Sequence, residues 1–148
     1  MKYFWYTLCI VALVVNENIV QWALAVIVAN FSFINGFKDA FEYFSVGGYA
    51  FFTLFRLIPY AMLTGAVLIG MKRQSPAVNG FAWGGLIGIV TMIVWGSWDA
   101  QRDYYTGEHV SSTTNIAFLV IPILALFTGC IGALSGYVIQ RVIKKLKA

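Results

Sequence analysis

The chain has 148 residues, 60% of them hydrophobic and 11% charged, with ten Lys and Arg against six Asp and Glu. Soluble domains average about 45–50% apolar and about 25% charged residues. The contrast argues against a soluble enzyme, a disordered segment and a nucleic-acid-binding domain, and fits an all-α, polytopic membrane protein with room for four spans.

Residues 3–34 are apolar apart from Asn16, Glu17, Asn18, Gln21, Asn30 and Ser32. As one helix they would be about 48 Å long. Tilt and entry into the headgroup layers absorb the excess over roughly 30 Å of hydrocarbon, so one long, tilted or kinked first helix is expected. Lys2 and the apolar run after it have the outline of a signal peptide. Val14, Val15 and Asn16, however, stand where a cleavage site would need small residues, so the segment is expected to remain as a span. Three further spans are expected over about 47–71, 77–98 and 116–139. Together with 3–34 they make residues 1–148 a single transmembrane domain, a four-helix bundle.

Charge sets the expected orientation. With four spans, one side holds Lys2, Lys72, Arg73, Arg141, Lys144, Lys145 and Lys147 and no acidic residue. The other holds Lys38 and Arg102 with Asp39, Glu42, Asp99, Asp103 and Glu108. The positive-inside rule then places both termini in the cytoplasm, and a bacterial inner (plasma) membrane is the expected location. Tyr3, Phe4, Trp5 and Tyr6 fall at the inner interface, and Trp95, Trp98, Tyr104 and Tyr105 at the outer one, where aromatic belts form.

Small residues mark where helices meet. Gly80, Gly84 and Gly88 repeat at every fourth position, as do Gly132 and Gly136, with Gly129 and Ala133 on an adjacent row. Ala61 and Gly65 form a weaker pair. Such stripes let backbones approach closely in a medium that gives helices no hydrophobic reason to associate. Packing of the third span on the fourth is the first expectation, and an oligomer seam the second. Pro59 and Pro122 lie inside spans and are expected to bend them.

Glu17 and Arg56 are the charges that fall within spans. An unpaired charge at mid-bilayer costs at least about 2.5–3.5 kcal/mol, and Arg56 lies about 14 Å from the outer end of its helix, a depth compatible with contact. Glu17, Asn18 and Gln21 share a helix face, and Tyr49, Thr53, Arg56, Tyr60 and Thr64 follow helical spacing along one stripe. The stripe reads either as a structural ion pair with hydrogen-bonding glue or as a hydrated path or sensing site for protons or ions. A scaffold requires Glu17 and Arg56 to touch and be dry; a channel requires them apart, with one facing water.

Cys9 and Cys130 both fall in spans, so no disulfide framework is expected, and no CxxC or metal-ligand cluster accompanies them. GxSxG, HExxH and Walker A patterns are missing. His109 beside Glu108 reads as a solvated loop residue, and Asp99, Arg102 and Asp103 as a surface cluster. The expectation is a non-enzyme without cofactor or metal and without direct nucleic-acid contact.

Two functions remain. One is a membrane subunit, anchor or sensor, acting as a homo-oligomer or within a membrane complex. Its basic inner face (Lys72, Arg73, Arg141, Lys144, Lys145 and Lys147) would hold a cytosolic protein partner or anionic lipid; an immunity or defence protein is a specific form of it. The other is a small ion or proton channel or transporter using the stripe around Glu17 and Arg56. The neutral pairing of the two charges favours the first.

Overall fold

The computed structural model describes residues 1–107 and 114–146. Glu108, His109 and Lys147 lie outside the described residues. The described residues form six α-helices and no strand: α1 (Lys2–Val14), α2 (Glu17–Ile27), α3 (Phe33–Ala40), α4 (Val46–Lys72), α5 (Val78–Thr106) and α6 (Thr114–Leu146). Three helical segments, Val46–Lys72, Val78–Thr106 and Ile116–Leu146, are long and apolar enough to cross a membrane; α1 and α2 together make a fourth if the bent pair counts as one span.

The N-terminal segment departs from the single long helix expected over residues 3–34. It breaks after Val14, and α1 and α2 diverge by 69°. The cause is Asn16, whose backbone is extended, at φ −140° and ψ 169°. Its side-chain oxygen accepts from the Ile19 amide at 3.0 Å, capping α2, while its Nδ2 donates to the carbonyls of Val14 and Leu13 at the end of α1. One buried side chain thus serves the loose ends of two helices, a role worth about 1 kcal/mol at the cap alone. Ser32 and Ser45 cap α3 and α4 in the same way, accepting from Asn35 and Gly48.

The third span is also longer than expected. Hydropathy falls after Trp98, yet α5 runs on to Thr106 and stops at Gly107, whose φ of +76° suits glycine. Asp99, Arg102 and Asp103 therefore ride on helix rather than loop. The fourth span extends past Ile139 to Leu146. Pro59 and Pro122 are both buried inside otherwise continuous helices.

α5 and α6 form the tightest pair. Gly80 faces Gly136, Gly84 faces Gly132, and Gly88 faces Thr128. A Cβ at Gly84 would collide with the Gly132 carbonyl oxygen, and one at Gly132 with that of Gly84. Thr128 adds a hydrogen bond from its hydroxyl to the Gly88 carbonyl at 3.1 Å. The two glycine stripes are thus packed on each other within the chain. Around them, Phe4 and Leu8 of α1, Leu63 and Val67 of α4, Ile89 of α5 and Ala125 of α6 build the core. Phe4 meets Trp83 edge to face at 5.7 Å.

The outer surface is apolar as well. Leu54, Ile58 and Met62 on α4, and Phe127, Ile131 and Leu134 on α6, are exposed. A surface of that kind on long helices whose backbone bonds are satisfied internally belongs to a membrane protein.

The contact geometry makes opposite predictions for two glycines. Gly84→Ala places a methyl group against backbone and should cost about 1–3 kcal/mol or more. Gly65 has open space around its Cβ position, so Gly65→Ala should be neutral or stabilise by about 0.5–1 kcal/mol through helix propensity. Thermal unfolding of the two variants in detergent checks both.

Candidate functional site

The helix break positions Glu17. Asn16 ends α1 and starts α2, so Glu17 occupies the first turn of α2, where the helix dipole favours a carboxylate. Arg56 comes from α4 and is 4% exposed. Its Nη1 donates to Glu17 Oε2 at 2.5 Å, and Glu17 is itself 16% exposed. The other terminal nitrogen donates to Thr53 Oγ1 at 3.0 Å and lies 3.5 Å from the Tyr49 hydroxyl. The guanidinium carbon sits 5.5 Å from the Tyr49 ring centroid, within cation–π range. The pair is neutral as a unit, which is what an apolar interior tolerates.

α5 supplies a third wall that sequence reasoning missed. Gln101, 3% exposed, donates its Nε2 to the Glu17 backbone carbonyl at 3.3 Å. Ser97, one turn earlier, is equally buried and borders a cavity of about 20 Å³ with Glu17 and Arg56, room for one water. The signal was present: Ile89, Ile93, Ser97 and Gln101 form one row at spacings of four. Ending the span at Trp98 put Gln101 in a loop and cut the row short.

On the other side of Glu17 lies a recess of about 210 Å³. Asn18, Gln21, Tyr49 and Gln101 line it, with Ser45 at the start of α4. It opens at the end of the molecule where α3 and the start of α4 lie. Beyond Arg56 toward the other end of α4, Tyr60, Leu63 and Val67 are buried among the core residues. The polar space therefore runs inward from one end as far as the ion pair, and past it the walls are apolar, around a further cavity of about 270 Å³ bordered by Pro59, Leu63 and Ile89.

Of the expected stripe, Glu17, Arg56, Thr53 and Tyr49 are joined by contacts, and Asn18 and Gln21 share the recess with them. Tyr60 is buried next to Arg56 in the row, but its hydroxyl has no partner among the described residues. Thr64 lies further along, partly buried, and borders neither cavity. Gly80, Gly84, Gly88, Gly132 and Gly136 serve helix packing, away from the pair.

The basic residues gather at the opposite end. Lys72 and Arg73 close α4, and Arg141, Lys144 and Lys145 occupy the last turns of α6, all exposed. Lys144 donates to the Pro76 carbonyl, tying the end of α6 to the α4–α5 turn. At the recess end, the Tyr105 hydroxyl donates to Asp39 at 2.5 Å and links α5 to α3. Arg102 and Asp103 form only a loose, half-exposed pair at 3.8 Å, of the kind that contributes little.

The chain matches no protein-family model, no curated protein and no solved structure.

Removing one partner of a buried pair strands the other, at a cost of about 3–5 kcal/mol. Glu17→Gln and Arg56→Met should each destabilise on that scale. The double variant Glu17→Gln/Arg56→Met should recover most of the loss, since neither charge is left alone. A double-mutant cycle by thermal unfolding measures the coupling.

Proposed function

We propose that this chain is a non-enzymatic integral membrane protein with four spans, α1 and α2 together forming the first. Both termini face the cytoplasm of a bacterial inner membrane, and the protein works as a membrane subunit, anchor or sensor within an oligomer or larger membrane complex. Its basic end engages a cytosolic protein partner. An immunity or defence protein is a specific form of this role.

The observation that carries this reading is the direct contact of Glu17 and Arg56 at the inner limit of a recess, past which the walls are apolar. A conducting path needs at least one of these charges free to face water along the route. Here Glu17 borders the recess but is neutralised by Arg56, and the buried Leu63 and Val67 past them carry no polar group to continue a path. The positive-inside rule supports the orientation, since Lys72, Arg73, Arg141, Lys144 and Lys145 share one end. The recess itself favours the second reading, a small ion or proton channel or transporter, because it brings polar space as deep as Glu17.

Proton and cation flux in liposomes separates the two. The proposed function predicts wild-type flux equal to that of protein-free liposomes, with Glu17→Gln lowering thermal stability. Wild-type flux that Glu17→Gln removes would establish the channel or transporter in its place.

A further inference from the structure

The recess has a chemical character that the ion pair does not account for. Glu17 is its one charged lining residue, and Arg56 lies behind it, facing the smaller cavity. Arg56 uses a single carboxylate oxygen, Oε2. Among the described residues no donor reaches Oε1. Gln101 spends its Nε2 on the Glu17 backbone and leaves Oε1 buried with no donor. An amide oxygen left bare in an apolar interior is costly, so a donor arriving there is rewarded. Much of the remaining wall is aromatic, with Tyr43, Phe44, Tyr49, Phe52 and Phe118 all bordering the space.

Two unused acceptors, one of them anionic, beside aromatic faces suit a cation that also carries N–H groups. Charge around the mouth agrees: Asp39, Glu42, Asp99 and Asp103 outnumber Lys38 and Arg102 at that end, and a surplus of acid draws cations inward. A quaternary ammonium has no proton for Gln101. A metal ion would want several anionic ligands, and no group of three His, Cys, Asp or Glu forms among the described residues.

We propose that the recess binds a small primary ammonium group, with its nitrogen at Glu17 Oε1 and its short organic remainder against the Tyr49, Phe52 and Phe118 rings; a small turn of the Gln101 side chain, whose Oε1 is closed to solvent, brings that oxygen to the same nitrogen. Glu17 then bridges two cations, Arg56 on one oxygen and the ligand on the other. A space of about 210 Å³ admits a group of aminoethyl size with room to spare. The same chemistry is offered by a free amine and by an ethanolamine lipid headgroup reaching in from the membrane surface. This inference deepens the proposed function and rests on it, for it supplies what a closed, non-conducting site would sense.

The test uses the full chain purified in maltoside detergent, titrated with ethanolamine and with the neutral isostere ethylene glycol. Calorimetry and the unfolding midpoint report binding. The expected result is saturable binding of ethanolamine at least tenfold tighter than of ethylene glycol, weakened at least tenfold by Gln101→Met and by Glu17→Gln. Glu17→Gln strands Arg56 and endangers the fold, so Gln101→Met, close in size to the native residue, carries the decision. Tyr60→Phe, outside the recess, leaves binding unchanged.

Repeating the titration in nanodiscs of phosphatidylglycerol with and without phosphatidylethanolamine identifies the source. Competition by the ethanolamine lipid assigns the site to a headgroup, and its absence assigns it to a soluble amine. No saturable binding by the wild type, equal binding of ethylene glycol, or binding unmoved by Gln101→Met overturns the proposal. Binding accompanied by ethanolamine flux into liposomes keeps the site but replaces the closed-site reading with a carrier. Absence of both binding and flux removes the site and leaves the closed-site reading standing.

Discussion

Two opposite charges that can leave water only together set much of this structure. Each alone would cost several kcal/mol in an apolar interior, so Glu17 must be delivered to Arg56 and held there. A straight helix through residues 3–34 would leave the position and direction of Glu17 to helical phase alone. The Asn16 break removes that dependence. It starts a new helix at Glu17, at 69° to the last, and puts the carboxylate at a positive helix end. Gln101 then fixes the backbone carbonyl of the same residue. Three helices converge on one residue, α4 through the carboxylate, α5 through the backbone carbonyl and α2 through its own first turn.

The glycine contacts explain why that convergence can be rigid on one side. α5 and α6 touch backbone to backbone at Gly84 and Gly132, an approach that leaves no side-chain freedom between them. Ser97 and Gln101 lie further along the same helix, in register with the buried Ile89 and Ile93. The wall that holds Glu17 is therefore an extension of the most tightly packed part of the molecule. The opposing wall is different. α1 reaches the core through Phe4, Leu8 and Ala12 on one face only, and its link to α2 depends on the hydrogen bonds of a single asparagine. Rearrangement in such a structure would be cheapest at Asn16, on the carboxylate side of the ion pair.

The helical class, the three long apolar helices and the packing of one glycine stripe on the other were legible in the amino-acid sequence because each rests on composition or on periods of three and four; for Glu17 and Arg56 the sequence set compatible depths and left open whether they touch. The break at Asn16 was not. Asparagine among apolar residues reads equally as a polar position inside a helix or as a cap, and only the geometry of the Ile19 amide decides between them. Gln101 was lost for a related reason. Hydropathy marks where a helix leaves an apolar medium, not where it ends, and the stop signal lay at Gly107. Thr64 erred in the opposite direction. The row from Tyr49 to Thr64 spans about 22 Å along a helix, longer than the site, so the shared period carried it past the recess and into the neighbourhood of the core.

The two ends of the molecule differ in a way that bears on how such a site could report. The recess lies at the acid-rich end, and α4 runs from its rim at Ser45 and Tyr49, past Arg56, to Lys72 and Arg73. At that far end Lys144 binds the α4–α5 turn. The last turns of α6 carry Arg141, Lys144 and Lys145 opposite Val142, Ile143 and Leu146, an amphipathic surface of the kind that meets anionic lipid or a protein. Within the proposed binding of an ammonium group, Glu17 shares its charge between Arg56 and the ligand, and apart from Glu17 the contacts of Arg56 are with Thr53 and Tyr49 of its own helix. Any weakening of the ion pair is therefore felt first as a change between α2 and α4, the two elements it joins. Coupling to the basic end then requires α4 to move as a unit against the α5–α6 pair, and the Lys144 bond to the turn beyond α4 is where that motion would be resisted or transmitted.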